Sequence, residues 1–275
     1  MVMNLDEHDR EILRRYAADA TFMAGGAAAI LLQLADPRIA AGVARHSGFR
    51  ERPLDRLAAT HQYLMALWFG DERDIRAVVR AVNARHAHVR GDDAPRYDAR
   101  EPDAQRWVAA TILHVGTDLE RRMSRRPLDP ATADALVRAY APLAGRLQGA
   151  SAGWPSTRAE FDAWWSERLS HLEVGPEARA VARDLLAGTG LPAPLRPLMA
   201  PVRLVTVALL PPEVRAGYGF GWTPRIQRVA GAWIAVLGAA RRIVPMPVRT
   251  IPMRISLRRV RQRSRYAEGD LRGRG

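Results

Sequence analysis

The sequence predicts an all-α protein built as a single helical domain. Three observations carry that reading. Apolar residues recur at three- and four-residue spacing along most of the 275 residues. Pairs containing proline or glycine cut the chain into helix-sized pieces. Runs of β-branched residues alternating with polar ones are absent. The first segment, 8–20, is amphipathic and is followed by a small-residue helix over 22–35 that ends at Asp36-Pro37. A helix over 38–45 comes next, and Arg52-Pro53 opens another over 54–69. Gly70-Asp71 separates that one from 72–89, which Gly91-Asp92 closes. Further helices are predicted over 102–122, 130–147, 157–170, 176–187, 194–209, 212–218 and 223–242. Their breaks are Arg126-Pro127, Gly153-Trp154-Pro155, Gly175-Pro176 and Leu210-Pro211-Pro212, and Ser156 or Thr157 caps one start with Glu160 downstream. No repeat of fixed period appears, which argues against a solenoid. After residue 243 three prolines and dense arginine suggest a partly disordered extension. The expected organisation is a helical domain over 1–243 and an Arg-rich tail over 244–275.

All 42 basic residues are arginine, and the formal charge is +13. Residues 241–275 hold eleven arginines against Glu268 and Asp270, so +9 lies in the tail and only +4 in the preceding 240 residues. The high pI is therefore not a nucleic-acid signal for the whole chain, and no nucleic-acid partner is expected. Weak contact of the tail with an anionic membrane surface stays open. The chain has no cysteine. That excludes disulfides, cysteine-held iron–sulfur clusters, c-type haem attachment, thiolate ligands and cysteine nucleophiles. Arg14-Arg15 before an apolar run resembles a twin-arginine signal, but Asp19 interrupts the run and acidic residues precede it. No segment reaches the roughly 18 uncharged apolar residues of a membrane span, so a cytoplasmic location is expected.

Residues 77–91, AVVRAVNARHAHVRG, carry two histidines one residue apart. On a helix they cannot share a face. Ile75, Val79, Val82 and Val89 form an apolar stripe, and His86 fills its gap while His88 falls out of phase. His86 is thus the inward candidate and His88 the outward one. A lone histidine on an apolar face is more often a hydrogen-bonded core residue than a ligand. Phosphate-binding and H-E-x-x-H motifs are absent, and no histidine has a carboxylate three residues before it. A buried histidine without cysteine partners suits a haem pocket. Arg56 and Thr60 lie one turn apart on a face continued by Tyr63, Leu64 and Leu67; Trp107, Thr111 and His114 align similarly. Taken singly, these read as an ion pair, a hydroxyl bonded to its own helix and core packing.

Six segments taken in order resemble a known family. They are LLQLADPRIAAGVARHSGF (31–49), RPLDRLAAT (52–60), NARHAHVRG (83–91), RYDAREPDAQRWVAAT (96–111), GWPSTRAEF (153–161) and LLPPEVRAGYGFGW (209–222). The chain resembles the haem-dependent oxygenases that include the rubber-cleaving latex clearing proteins and the mycophenolic-acid-pathway side-chain oxygenase. The resemblance implies a globin-like helical core around b-type haem iron, with His86 as its proximal ligand. It also implies that Arg56 and Thr60, matching an R-x-x-x-T motif, stand on the distal side where O2 meets an apolar small-molecule substrate. The implied reaction is oxidation or cleavage of a carbon–carbon double bond in an isoprenoid- or lipid-like molecule. Three positions depart from the family: Ala59 replaces a lysine of the rubber-cleaving members, and Asp36 and Ala109 stand where histidines are common. Two other readings remain: a non-catalytic haem-binding or gas-sensing protein, and a peripheral binder of anionic membrane or nucleic acid through the tail.

Overall fold

The computed structural model describes residues 7–46, 53–147, 153–188 and 193–272, excepting the side chains of 53–56, 193, 195, 198 and 266–272. It is helical almost throughout, as the spacing predicts. The helices are α1 (Glu7–Tyr16), α2 (Gly26–Leu34), α3 (Pro37–His46), α4 (Pro53–Phe69), α5 (Glu72–His86), α6 (Pro102–Ser124), α7 (Pro130–Gly145) and α8 (Arg158–Ser170). They continue with α9 (Pro176–Ala187), α10 (Met199–Ala208), α11 (Pro212–Gly217), α12 (Pro224–Ile243), α13 (Met246–Arg249) and α14 (Ile251–Arg272). Short 3-10 turns cover Ala20–Gly25 and Ala193–Leu198.

Helix α6 is the axis of the core. Trp107, Ala109, Ala110, Thr111, Leu113 and Val115 are all buried, so most of its circumference is apolar and covered, as a central helix requires. It packs against α2, α7 and α12. The approach of α12 is close because position 238 is glycine: a Cβ there would sit 2.7 Å from the Met123 carbonyl oxygen. Side-chain caps fix several helix starts. Asp71, Asp129, Thr157 and Thr223 each accept from a backbone N–H of the first turn, offsetting donors that the helix itself cannot satisfy.

Two features differ from the sequence reading. Residues 90–98 form a small antiparallel hairpin, β1 (Arg90–Gly91) with β2 (Tyr97–Asp98), too short to show strand alternation in sequence. The expected partly disordered tail is helical from Met246 to Arg249 and from Ile251 to Arg272. Pro245 caps α13, and Pro247 and Pro252 stand in first turns, where a missing N–H costs no hydrogen bond. Ser256, Leu257, Val260 and Ser264 turn one face of α14 inward onto α4 and α5. Polar contacts fix it there. Arg261 Nε donates to buried Asp74 at 3.2 Å, Arg263 to Gln62 at 3.2 Å, and the Ser256 hydroxyl lies 2.8 Å from His61 Nδ1. Farther back, Arg241 and Arg249 both pair with buried Asp19. Arg241, Arg249 and Arg261 of the tail are therefore ion-paired inside the fold.

Among the described residues no single helix is long and apolar enough to cross a membrane, though the bent pair of Glu7–Tyr16 with Ala20–Leu34 passes on length and composition.

Candidate functional site

Helices α4 and α5 form a hairpin joined by Gly70 and Asp71. Asp71 and Asp74 close a reciprocal capping box at the start of α5. At about 1.5 Å per residue, Arg56 lies about 20 Å and Thr60 about 14 Å from the C-terminal end of α4, and His86 about 21 Å from the start of α5. His86 is the last residue of α5. Its ring is half-buried with Nδ1 shielded from solvent, whereas His88 is exposed. The half-buried His86 and exposed His88 follow the expected order, but α5 stops at His86 rather than at residue 89, so a turn and not helical phase places His88.

The segment after His86 is held in place. The Val89 N–H donates to the His86 carbonyl at 3.0 Å, and the hairpin strands follow. Gly91 lies under the Tyr97 ring, where a Cβ would come within 2.7 Å of it. The Tyr97 hydroxyl lies 2.7 Å from His46 Nε2 on α3, tying the hairpin to the body of the fold. Val79, Val82 and Val89 are only half-buried, so the stripe containing His86 is not fully covered by the protein. Thr60 is exposed, while Tyr63, Leu64 and Leu67, farther along α4, are buried. The face shared by Thr60 and those residues thus passes from the surface into the core. The side chain of Arg56 lies outside the described residues; its backbone is in α4.

The second alignment is structural. Trp107 is fully buried and its indole N–H donates to the Leu32 carbonyl at 3.2 Å. Thr111 donates to the Val108 carbonyl at 2.7 Å and accepts from Gln33 at 3.1 Å. His114 stacks on Trp165 with ring centroids 4.0 Å apart, and Trp165 stacks on Trp107. Burial lowers the His114 imidazole to about 4, so it is neutral near pH 7. His61 is lowered to about 4 by burial as well. On the face that continues from Thr60, the Tyr63 hydroxyl is buried with no hydrogen-bond partner among the described residues, and burial raises its pKa.

The donor chemistry narrows what the site can hold. Among the described residues no group of three or more His, Asp or Glu side chains could bind a metal ion directly. A single imidazole suffices for an iron whose other in-plane bonds come from a macrocycle. His86, half-buried at the end of α5 in a chain without cysteine, fits that requirement. Two cavities lie elsewhere. One, of about 720 Å³, is bounded by Leu67, Trp68, Ile75 and Leu257 at the turn end of the hairpin. The other, of about 760 Å³, is lined by arginines of α6 and α12.

The family described as "ER-bound oxygenase mpaB/B'/Rubber oxygenase, catalytic domain" matches residues 14–262. The chain belongs to this family. Two relatives are uncharacterised proteins of Mycobacterium bovis and Mycobacterium tuberculosis, each 33% identical over 227 residues that span 80% of this chain and 88% of theirs. The fold is similar to that of latex clearing protein in its closed state, with a TM-score of 0.55 and 17% identity over 93% of this chain and 74% of that one. The family match extends to residue 262 and so takes in part of the Arg-rich segment beyond 243.

One position that departs from the resemblance, Asp36, has a structural explanation. Asp36 is buried and accepts from Arg38 Nη2 at 2.8 Å and Arg168 Nη2 at 2.5 Å. Asp103 pairs with the same two guanidiniums at 2.8 and 3.3 Å. A carboxylate in place of histidine thus becomes the hub of an ion-pair cluster joining α6 and α8 to the α2–α3 junction. Ala109 is fully buried in the core.

Proposed function

We propose that the protein is a b-type haem-dependent oxygenase that oxidises or cleaves a carbon–carbon double bond of an apolar, isoprenoid- or lipid-like substrate with O2. The observation that carries this is His86: a half-buried imidazole with one shielded nitrogen, on an incompletely covered apolar stripe, in an oxygenase-family chain without thiolates. Haem, once bound, supplies the O2-dependent oxidation chemistry; the protein supplies position and field.

His86 would hold the iron through the nitrogen not shielded within the fold, and the hairpin clamp beyond α5 would keep the ring from swinging. Val79 and Val82 would offer an apolar wall for the macrocycle or substrate. Thr60 would donate a hydrogen bond to a reacting oxygen. The permanently charged Arg56, one turn earlier, would favour negative charge developing there. Alanine at position 59 leaves that side without a second cation, which favours a substrate different from that of the rubber-cleaving members.

The test is oxygen-dependent formation of carbonyl products from an unsaturated isoprenoid by haem-supplied protein. Thr60→Val and Arg56→Ala are expected to lower turnover by roughly 10²-fold or more while haem stays bound. Haem binding without any oxygen-dependent product would favour the second reading, a haem-binding or gas-sensing protein. Asp36, committed to Arg38 and Arg168, is the observation behind that reading. A tail acting as a detached polyanion binder is disfavoured by the docking of α14 through Ser256, Leu257 and Arg261.

A further inference from the structure

We propose that the outward face of α12, with the segment following it, docks on an anionic lipid bilayer, and that the arginine-lined cavity beside it takes a lipid phosphate. Among the described residues, the exposed large apolar side chains all fall between Val202 and Ile255. On α12, Val229, Trp233, Val236 and Ile243 follow at intervals of four, three and seven and so make one stripe. Trp233 is 42%, Val236 54% and Ile243 81% exposed. Val202 of α10, which packs beside α12, is exposed as well, and Val248, Ile251 and Ile255 are exposed on the α13–α14 segment that follows. An apolar stripe left exposed on a folded protein's helix marks an interaction site.

Charge says which partner fits. From Val214 to Ala267 the chain has no acidic residue. Arg225, Arg228, Arg242, Arg258 and Arg259 are exposed along this stretch, and no ion pair among the described residues engages them. The 760 Å³ cavity reaches the flank of the stripe at Ala232 and is lined by Arg121, Arg122, Arg125, Arg126, Arg228 and Trp222. Arg121 and Arg122 share Asp118; the other three have no carboxylate partner among the described residues. Three guanidiniums without a carboxylate partner around one cavity favour an anion there, and a phosphate matches their fork geometry.

An apolar helical stripe bearing tryptophan and rimmed only by arginine fits the boundary between lipid headgroups and acyl chains. Nucleic acid would offer nothing to Val236 or Ile243. A second copy of the chain, packed face to face, would set arginines against arginines with no acid to offset them. The docking mode is peripheral: α12 lies along the surface and does not cross it.

The test is sedimentation of the full chain with vesicles of phosphatidylcholine alone, or with about a third phosphatidylglycerol, at about 0.1 M salt. Binding to the anionic vesicles only is expected. The double variant Trp233→Glu/Val236→Glu should weaken it by roughly tenfold or more. The variant Arg125→Gln/Arg126→Gln/Arg228→Gln should weaken binding and flatten its salt dependence. These residues are exposed or line an open cavity, so circular dichroism and Tm should stay those of the parent and separate lost docking from lost folding. Equal binding to neutral vesicles, absence of binding, or undiminished binding by the Trp233/Val236 variant would each overturn the proposal. So would a dimer, seen by sedimentation equilibrium, that the Trp233/Val236 variant dissolves while vesicles fail to bind.

Discussion

Replacing Asp36 with alanine is expected to destabilise the protein by about 3 kcal/mol. The carboxylate is 3% exposed and accepts four hydrogen bonds: from the Arg38 backbone N–H at 2.9 Å, Arg38 Nε at 3.2 Å, Arg38 Nη2 at 2.8 Å and Arg168 Nη2 at 2.5 Å. These bonds raise the Arg38 guanidinium above its ordinary value, the Asp36 hydrogen bond contributing most. Removing one member of a buried ion pair costs about 3–5 kcal/mol, because the remaining charge stays desolvated. The low end applies here, since Asp103 remains beside both arginines. Asp103 itself is about half exposed, so Asp103→Ala should cost under about 1 kcal/mol. The assay is urea unfolding of both variants, with Tm as a second reading; Asp36→Ala should lower Tm by about 6–12 °C. A loss below about 1 kcal/mol for Asp36→Ala, or equal losses for the two variants, would refute the assignment of Asp36 as the hub of the cluster.

Two further outcomes are expected. His61 and His114 are both lowered to about 4 by burial, while in the unfolded chain a histidine titrates near pH 6.5. The unfolded state therefore binds protons first, and stability that is complete above pH 6.5 is lost as the pH falls toward 4, on the order of 3 kcal/mol per ring. Unfolding free energies measured between pH 7 and 4.5 should fall with pH, and less steeply in His114→Gln; an unchanged slope would count against the burial argument. Gly238→Val should separate α12 from the Met123 carbonyl at a cost of about 1–3 kcal/mol, seen as a lower urea midpoint; an unchanged midpoint would mean that the contact yields freely.

What could be read from sequence was what depends on neighbours along the chain. The capping signal at Thr157, the Gly70-Asp71 break and the proline breaks before α4, α7, α9 and α11 are local, and each matches the structure; His86 is the more buried of its pair, as expected, though α5 ends there. What could not be read depends on partners far apart in sequence. Arg168 reaches Asp36 across 132 positions, and Ser256 reaches His61 across 195. Composition made the tail look solvated, because arginine count does not reveal that Asp19, Asp74 and Gln62 wait inside the fold to receive it. The prolines misled for a related reason: in first turns they permit helices. Trp107, Thr111 and His114 share a face as their spacing suggests, but the Trp165 ring that makes His114 structural comes from another helix. Arg56 and Thr60 owe their place in the candidate site to the R-x-x-x-T resemblance; spacing alone gave only a shared face.

The most direct test of the central claim is the ultraviolet–visible spectrum of the purified, haem-supplied protein beside His86→Ala. A strong Soret band in the parent, lost or shifted in the variant, is the predicted result. A Soret band untouched by the substitution would contradict His86 as the ligand, and no band in a folded, haem-supplied parent would contradict the haem oxygenase account itself.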